Sequence, residues 1–565
     1  MKRSRWSCLA VLVLAVAGLV VPSLVIAGDE VPLERDELPK VSGSLSHLLS
    51  GGFGGGIGGG SLSNSTCTST GDPAANIKLN CDDPTSPDNE TPVIADPLDP
   101  NHLLAGSNDY YLTFTGSTLH GRTPTGFFTS FDGGHTWTDG QIPMGNGASS
   151  GNGDPSPAFD SKFHTAHMAQ LSAAQGNSPN AGHIDVSVST STDGGLNWKP
   201  PVTVAVGHAS IGPSANGVFL DKEWLVADNY PSSPHYGRLY LSWDQIELDK
   251  GALDRSPVVL SYSDDAGKSW SRPVEISGSN PVYCTANQGP VGPPGACDES
   301  FFSYGAVRPN GDVVVGFINQ QHAAAWEVPN EFENQILTVT SHDGGVTWTN
   351  PVHVEDLEDG GMEGVVFSDY PANVDGRATQ TGFEFRTGSW GNLNVDPVTG
   401  NVYVVWTDNR DGLHDVPNPV TETNVFMSVS TNGGVSWSAP IRVTSGASDK
   451  WFPFVAARGG RVGVAYQEEA GAGTYVTNLA TSTNNGASWS YQTVSNAVSD
   501  ANHSVWFRAH APDCDQCATF IGDYIGLAFD TLGRAHLTWT DMRRDIAVPQ
   551  IGRTGKAQDD VYARR

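Results

Sequence analysis

Basic residues are scarce in this sequence: 31 Lys and Arg stand against 61 Asp and Glu in 565 residues, for a formal net charge of −30. Nucleic acid and anionic membranes both attract proteins through a basic footprint, so neither is an expected partner. Two catalytic signatures that spacing alone reveals are also missing. There is no His-Glu-x-x-His zinc helix and no Gly-x-x-x-x-Gly-Lys-Ser/Thr loop to cradle a phosphate. Cysteine is sparse. Of seven, Cys8 lies in the apolar run near the start, and the other six stand as close pairs, Cys67 with Cys81, Cys284 with Cys297 and Cys514 with Cys517.

The start of the chain sets the compartment. Basic Lys2-Arg-Ser-Arg5 precedes an apolar run from about Cys8 to Ile26, and Val25-Ile-Ala27 suits a signal peptidase. Residues 1–27 therefore read as a secretory signal, with an uncleaved anchor as the alternative that Gly18 and Pro22 argue against. The expected location is secreted or cell-surface, with no membrane insertion after cleavage. In that oxidising setting the three cysteine pairs read as local disulfides. A metal site at Cys514-Asp-Gln-Cys517 with His503 and His510 is the sharper alternative. Residues 28–75 include Gly51-Gly-Phe-Gly-Gly-Gly-Ile-Gly-Gly-Gly60, too poor in apolar surface to order itself, and read as a tether ahead of one large domain over 76–565.

What is abundant is one pattern, Ser-x-Asp/Asn-x-Gly-x-x-Trp, present six times with its acidic or amide position at Asp132, Asp193, Asp265, Asp343, Asn432 and Asn484. Spacings of 61, 72, 78, 89 and 52 residues mark a repeat architecture. Each copy has the chemistry of a hairpin corner: Asp or Asn accepts backbone amides, Gly takes positive φ, and Trp covers the turn. Val186–Thr190, Val258–Tyr262, Ile336–Thr340 and Val425–Val429, each just before a copy, read as strands. A second phrase, an apolar strand ending in Trp-Thr-Asp, occurs at Val402–Asp408 and at Ala535–Asp541, with a looser form ending at Asp244.

The six corners resemble the Asp boxes of sialidases and other bacterial-neuraminidase-repeat proteins. That resemblance implies an all-β propeller of four-stranded blades. Six inner phrases pair with six boxes, and a seventh, Ile525 to Asp541, has none; Asp560–Arg564 supplies one further strand and Asn76–Asn80 could supply the last. Seven blades closed by strands from both termini are therefore expected, with six as the alternative.

Alternating strand direction sorts the chemistry. The corners follow third strands, so their carboxylates fall on the face opposite a site built from second-strand ends and blade starts, which leaves them structural. The other face collects Asp408, Asp541 and the pair Asp523-Tyr524 as candidate catalytic groups, and Arg386, Arg410, Arg508, Arg543, Asp221 and Trp224 as candidate substrate contacts. Carboxylates around a concave mouth suit glycan cleavage, and the resemblance implies a Tyr nucleophile with an arginine cluster that holds a sugar carboxylate. Trp224, Trp390, Trp451 and Trp506 either pack between blades or stack on sugars. The Phe/Tyr-Arg-Ile-Pro segment that opens a sialidase propeller is absent; Arg122-Thr-Pro124 and Arg308-Pro309 do not match it. Two readings follow: an exo-acting, sialidase-like glycoside hydrolase, or a non-catalytic extracellular module that binds glycan or protein. Both take an extracellular glycan or glycoconjugate as partner and a monomeric chain. No cofactor is required, and Asp356-Leu-Glu-Asp359 offers oxygens to a structural Ca2+.

Overall fold

The computed structural model describes residues 66–565 apart from 84, 116–117, 145–150, 174–183, 210–215, 251, 286–292, 294, 323–332, 360–368, 375–376, 415–417 and 509–517. Residues 1–27 read as a signal, residues 28–65 of the stretch read as tether, His510 and the Cys514/Cys517 pair lie outside the described residues.

Seven antiparallel sheets form the blades. Their innermost strands are Val93–Ala95, Gly151–Asp160, Gly217–Ala227, Ser300–Val307, Leu393–Val395, Lys450–Arg458 and Gly526–Phe529, and each touches the next in cyclic order, the seventh returning to the first. Helix among the described residues is limited to three-residue turns such as Pro73–Ala75. Closure comes from both termini. In the seventh blade Asp559–Arg564 is the third strand, and Ile77–Lys78 from the other end of the chain pairs outside it, Ile77 opposite Tyr562 and Lys78 opposite Val561. The seven-blade expectation holds, and the sheet count excludes six. Cys67–Thr70, inside the stretch read as tether, is also a strand. It pairs with Thr136–Gln141 on the outer edge of blade 1, held by the Cys67–Cys81 disulfide. Cys284–Cys297 is the second bridge.

The six corners have the geometry their residues dictate. In the first, Ser130 Oγ donates to Asp132 Oδ1 at 3.0 Å, Asp132 Oδ1 accepts the amides of His135 and Thr136 at 2.9 Å, and Trp137 Nε1 donates to the Gly134 carbonyl at 3.1 Å. Where Asn432 takes the acidic position, its Oδ1 accepts the Ser436 amide at 3.0 Å and its Nδ2 donates to Ser436 Oγ at 2.8 Å. The corners also lock blade to blade through the carbonyl of the first glycine. Arg564 of blade 7 donates to Gly133 at 2.7 Å, His102 of blade 1 bonds Gly194 at 2.9 Å, Arg238 of blade 3 donates to Gly344 at 2.7 Å, and Thr340 of blade 4 donates to Gly433 at 3.2 Å. The acidic groups of the corners are thus consumed in turns at the blade rims.

Where the termini meet, four carboxyls are buried together: Asp88, Asp109, Asp139 and Asp560. Burial first, and the neighbouring Asp82 charge second, push Asp139 from the ordinary 3.8 up to about 8, with Lys78 opposing; burial raises the other three as well. A carboxyl raised in the folded state binds its proton more tightly there than in the unfolded chain, so stability falls as pH rises between 3.8 and about 8. Thermal melts are expected to peak under mildly acidic conditions and to decline toward pH 8, and Asp139→Asn is expected to flatten that decline. A melting temperature that climbs steadily from pH 5 to 8 contradicts this.

Candidate functional site

Four of the seven innermost strands share a bulge that re-aims side chains out of the pleat. Register breaks at Gly153/Ser156, Asp221/Trp224, Phe301/Tyr304 and Trp451/Phe454. Inside each break one residue takes left-handed φ: Asp154 at 52°, Lys222 at 54°, Phe302 at 56° and Phe452 at 50°. Glu90 at 58° and Gly522 at 94° occupy the matching places before the first strands of blades 1 and 7. Bulges of this kind turn a side chain out of the pleat, and a non-glycine residue in that conformation costs about 1–3 kcal/mol, which the surrounding packing must outweigh.

Three of the re-aimed side chains are charged and meet Asp523, which follows Gly522. Lys222 Nζ lies 2.6 Å from Asp523 Oδ2, 3.2 Å from Asp154 Oδ2 and 3.8 Å from Glu90 Oε1. Arg386 clasps Asp523 from the other side, Nε to Oδ1 at 2.9 Å and Nη2 to Oδ2. Neutral groups complete the frame. Asn108 donates to Glu90 Oε2 at 2.7 Å and accepts the Asp154 amide at 2.8 Å, Glu90 Oε1 accepts the Asp523 amide at 3.0 Å, and Trp390 Nε1 donates to the Asp523 carbonyl at 2.9 Å. All of these side chains are buried.

Burial alone would raise the Asp523 carboxyl, but Arg386 and Lys222 hold it below the ordinary range. Burial would lower Lys222, yet Asp154, Asp523 and Glu90 keep its ammonium charged. Glu90 goes the other way, raised first by burial, with Lys222 only partly offsetting it. Two carboxyls within one cluster are therefore pushed apart, the arrangement that acid–base chemistry exploits.

A small cavity adjoins this hub, lined by Asp154, Lys222, Glu223, Phe302, Tyr304 and Tyr524. Glu223 is 3% exposed, and neither carboxyl oxygen has a hydrogen-bond partner. Burial, then the Asp154 charge, raise it well above the usual glutamate range. The Tyr524 hydroxyl reaches the Pro155 carbonyl at 3.4 Å, and burial raises it.

Asp523, Tyr524 and Arg386 thus stand together, with Trp224 lining the same small cavity as Tyr524, while Asp408, Asp541, Arg410, Arg543 and Arg508 are held elsewhere. Asp408 accepts Trp406 Nε1 at 3.0 Å and Arg410 Nη2 at 2.6 Å, and Arg410 also reaches Glu355 at 3.2 Å. Asp541 repeats the motif with Trp539 at 3.0 Å and Arg543 at 2.6 Å. These Trp-Thr-Asp-x-Arg units are corner locks at second-strand ends. Arg508 donates to the Ser504 and Thr554 carbonyls at 3.1 and 3.3 Å. The four arginines expected to gather on one sugar carboxylate are bound by four different partner sets. Asp221 is buried beside Lys222 and Glu223, facing Asp244 across the strand pair. Of the remaining members, Asp154 and Lys222 stand at blade entries, where the sequence places charged groups on the mouth face, whereas Glu90 and Glu223 were not singled out. For Lys222 and Glu223 the signal was a register shared by blade starts, a bulge residue followed two positions later by an aromatic: Lys222-Glu-Trp224, Phe302-Ser-Tyr304, Phe452-Pro-Phe454 and Gly522-Asp-Tyr524; Glu90-Thr-Pro92 and Asp154-Pro-Ser156 lack it.

Those aromatics divide the channel. Trp224 and Tyr304 pack edge to face at 4.7 Å and Phe454 lies 6.1 Å from Trp224, below the charged hub. Beneath them a cavity of about 320 Å3 opens between the turns after the first strands, the face that carries the corners. Its walls are mainly apolar, Val93, Ala158, Leu393 and Phe529 among them, with Asn229, Tyr230, Asn394 and Arg458 near the rim. No corner residue lines it. Trp390, Trp451 and Trp506 are buried in packing, whereas Trp224 keeps part of its ring exposed.

No protein-family model matches the sequence, and no curated protein matches it. Solved structures do. A protein of unknown function from Dyadobacter fermentans aligns at 13% identity over 75% of this chain and 97% of its own, TM-score 0.40. A leech intramolecular trans-sialidase aligns at 11% over 73% and 68%, TM-score 0.40. The GH93 α-L-arabinofuranosidase of Fusarium graminearum aligns at 14% over 72% and 91%, TM-score 0.37. By its own strand order and ring closure, this chain is a seven-bladed β-propeller.

Proposed function

We propose that this chain is an extracytoplasmic, sialidase-like propeller that binds neutral glycans. The observation that carries the reading is the dispersal of the arginines: Arg386, Arg410, Arg508 and Arg543 are each committed to protein partners, so these four do not converge as a clamp for a sugar carboxylate. A sugar ring instead suits Trp224, which offers an apolar face at the floor of a cavity whose volume falls within the range of small-ligand sites. The two disulfides and the leader-like first residues support the location.

Binding is expected on an array of neutral oligosaccharides, with sialylated ones no better, and Trp224→Ala is expected to weaken it about tenfold or more. Release of sialic acid from any glycan would sink the reading. A second reading, hydrolysis of neutral glycosides, is favoured by Glu223, a buried carboxyl raised by its surroundings that lines one cavity with Tyr524, close to Asp523, which Arg386 and Lys222 hold low. It requires monosaccharide release that Glu223→Gln abolishes while sugar binding persists.

A further inference from the structure

Away from the channel, side chains from three separate connections converge. Glu358 follows the outermost strand of blade 4, Val352–Asp356; Asp369 precedes blade 5; His414 lies between the second and third strands of blade 5, Val402–Asp408 and Asn424–Ser430. One oxygen from each acid and one imidazole nitrogen all lie within 4.8 Å of one another. Asp369 is fully buried and the His414 side chain is 18% exposed.

A single residue holds all three. The Asn409 amide donates to the Glu358 carbonyl at 3.0 Å, its side chain donates to the Asp369 carbonyl at 2.5 Å, and its own carbonyl faces His414 Nε2 at 2.7 Å. A carbonyl can only accept, so Nε2 carries a proton and His414 presents Nδ1 to Asp369 Oδ1 at 3.3 Å. Metal-bound imidazoles are fixed in this way, with one nitrogen donating to a carbonyl and the other turned to the ion among carboxylates.

We propose that Glu358, Asp369 and His414 bind one divalent transition-metal ion of the zinc class, with Asn409 as the positioning residue. The donor set makes the choice. Calcium takes six to eight oxygens and has little use for imidazole, whereas one nitrogen and two carboxylate oxygens suit zinc, leaving one position for water. Of the acidic loop expected to serve calcium, only Glu358 joins the cluster. The ion clips the connection between blades 4 and 5 to a loop of blade 5.

The test uses the full chain, stripped with a chelator and titrated with Zn2+ by calorimetry. One tight equivalent is expected, weakened about ten- to a hundredfold by His414→Ala. His503→Ala, which removes an exposed histidine paired with Asp500, should leave it unchanged. Co2+ bound to the wild-type chain should absorb in the visible with the intensity of a low-coordinate site, a readout that does not depend on the variant folding. Absence of that band, survival of tight binding in His414→Ala, equal weakening by His503→Ala, or preference for Ca2+ over Zn2+ would each overturn the assignment.

Discussion

Lys222→Met is expected to cost about 3–5 kcal/mol of stability, because removing one partner from a buried ion network leaves the others uncompensated. The methionine fills the volume, so the loss is electrostatic. Asp154 and Glu90 lose the ammonium they face, and Asp523 keeps Arg386. The bulge also holds Lys222 at a φ of 54°, a strain that the ion pairs no longer offset. Denaturant unfolding of wild type, Lys222→Met, Asp523→Asn and the double variant separates the two contributions. The double variant should lose clearly less than the sum of the singles, since the pair is coupled. Additive losses would show that the hub is a set of independent charges. A near-neutral Lys222→Met would show that water reaches the carboxylates.

The second large effect is expected from removing residues 67–80. That deletion takes away the outer strand of blade 7, the outer strand of blade 1 and the disulfide anchored at Cys67. Ile77 and Leu79 are buried against Tyr562, Trp137 and Phe128, and losing two such side chains removes about 3–6 kcal/mol of burial. The unpaired backbone of Asp559–Arg564 would then form an open sheet edge, a template for aggregation. The melting temperature should fall by several degrees and light scattering should rise on heating. Cys67→Ser with Cys81→Ser, which keeps the strands, should lose less. Equal behaviour of the deletion and the disulfide variant would mean that the strands add nothing beyond the bridge.

Much of the architecture was legible because its determinants are local. Ser130, Asp132, Gly134 and Trp137 make their bonds within eight residues, so the pattern carries its own geometry wherever it recurs. The alternation of strand direction then placed the corners on one face without a single long-range contact. Ring closure by Asn76–Asn80 was readable for a similar reason, since the seventh inner phrase lacked one strand and the chain had one to spare.

The candidate site was only partly legible. Asp408 and Asp541 look like mouth acids in sequence, yet each is followed two residues later by an arginine and preceded two residues earlier by a tryptophan, and those neighbours consume it. Glu223 gave no cue beyond its place between Lys222 and Trp224, because an unpartnered carboxyl is a property of what surrounds it.

The sequence by itself determined the repeat, the blade count, the corner chemistry and the face on which the corners lie, all of which follow from hydrogen bonds and pleats a few residues long. Only the tertiary structure decided which groups meet at the channel. The Asp523 amide and Glu90 are 433 residues apart in the chain, and Lys222 comes from a third blade. Closing a ring brings such residues together through the accumulated geometry of seven sheets, and burial in that ring then sets which carboxyls keep a proton and which keep a charge.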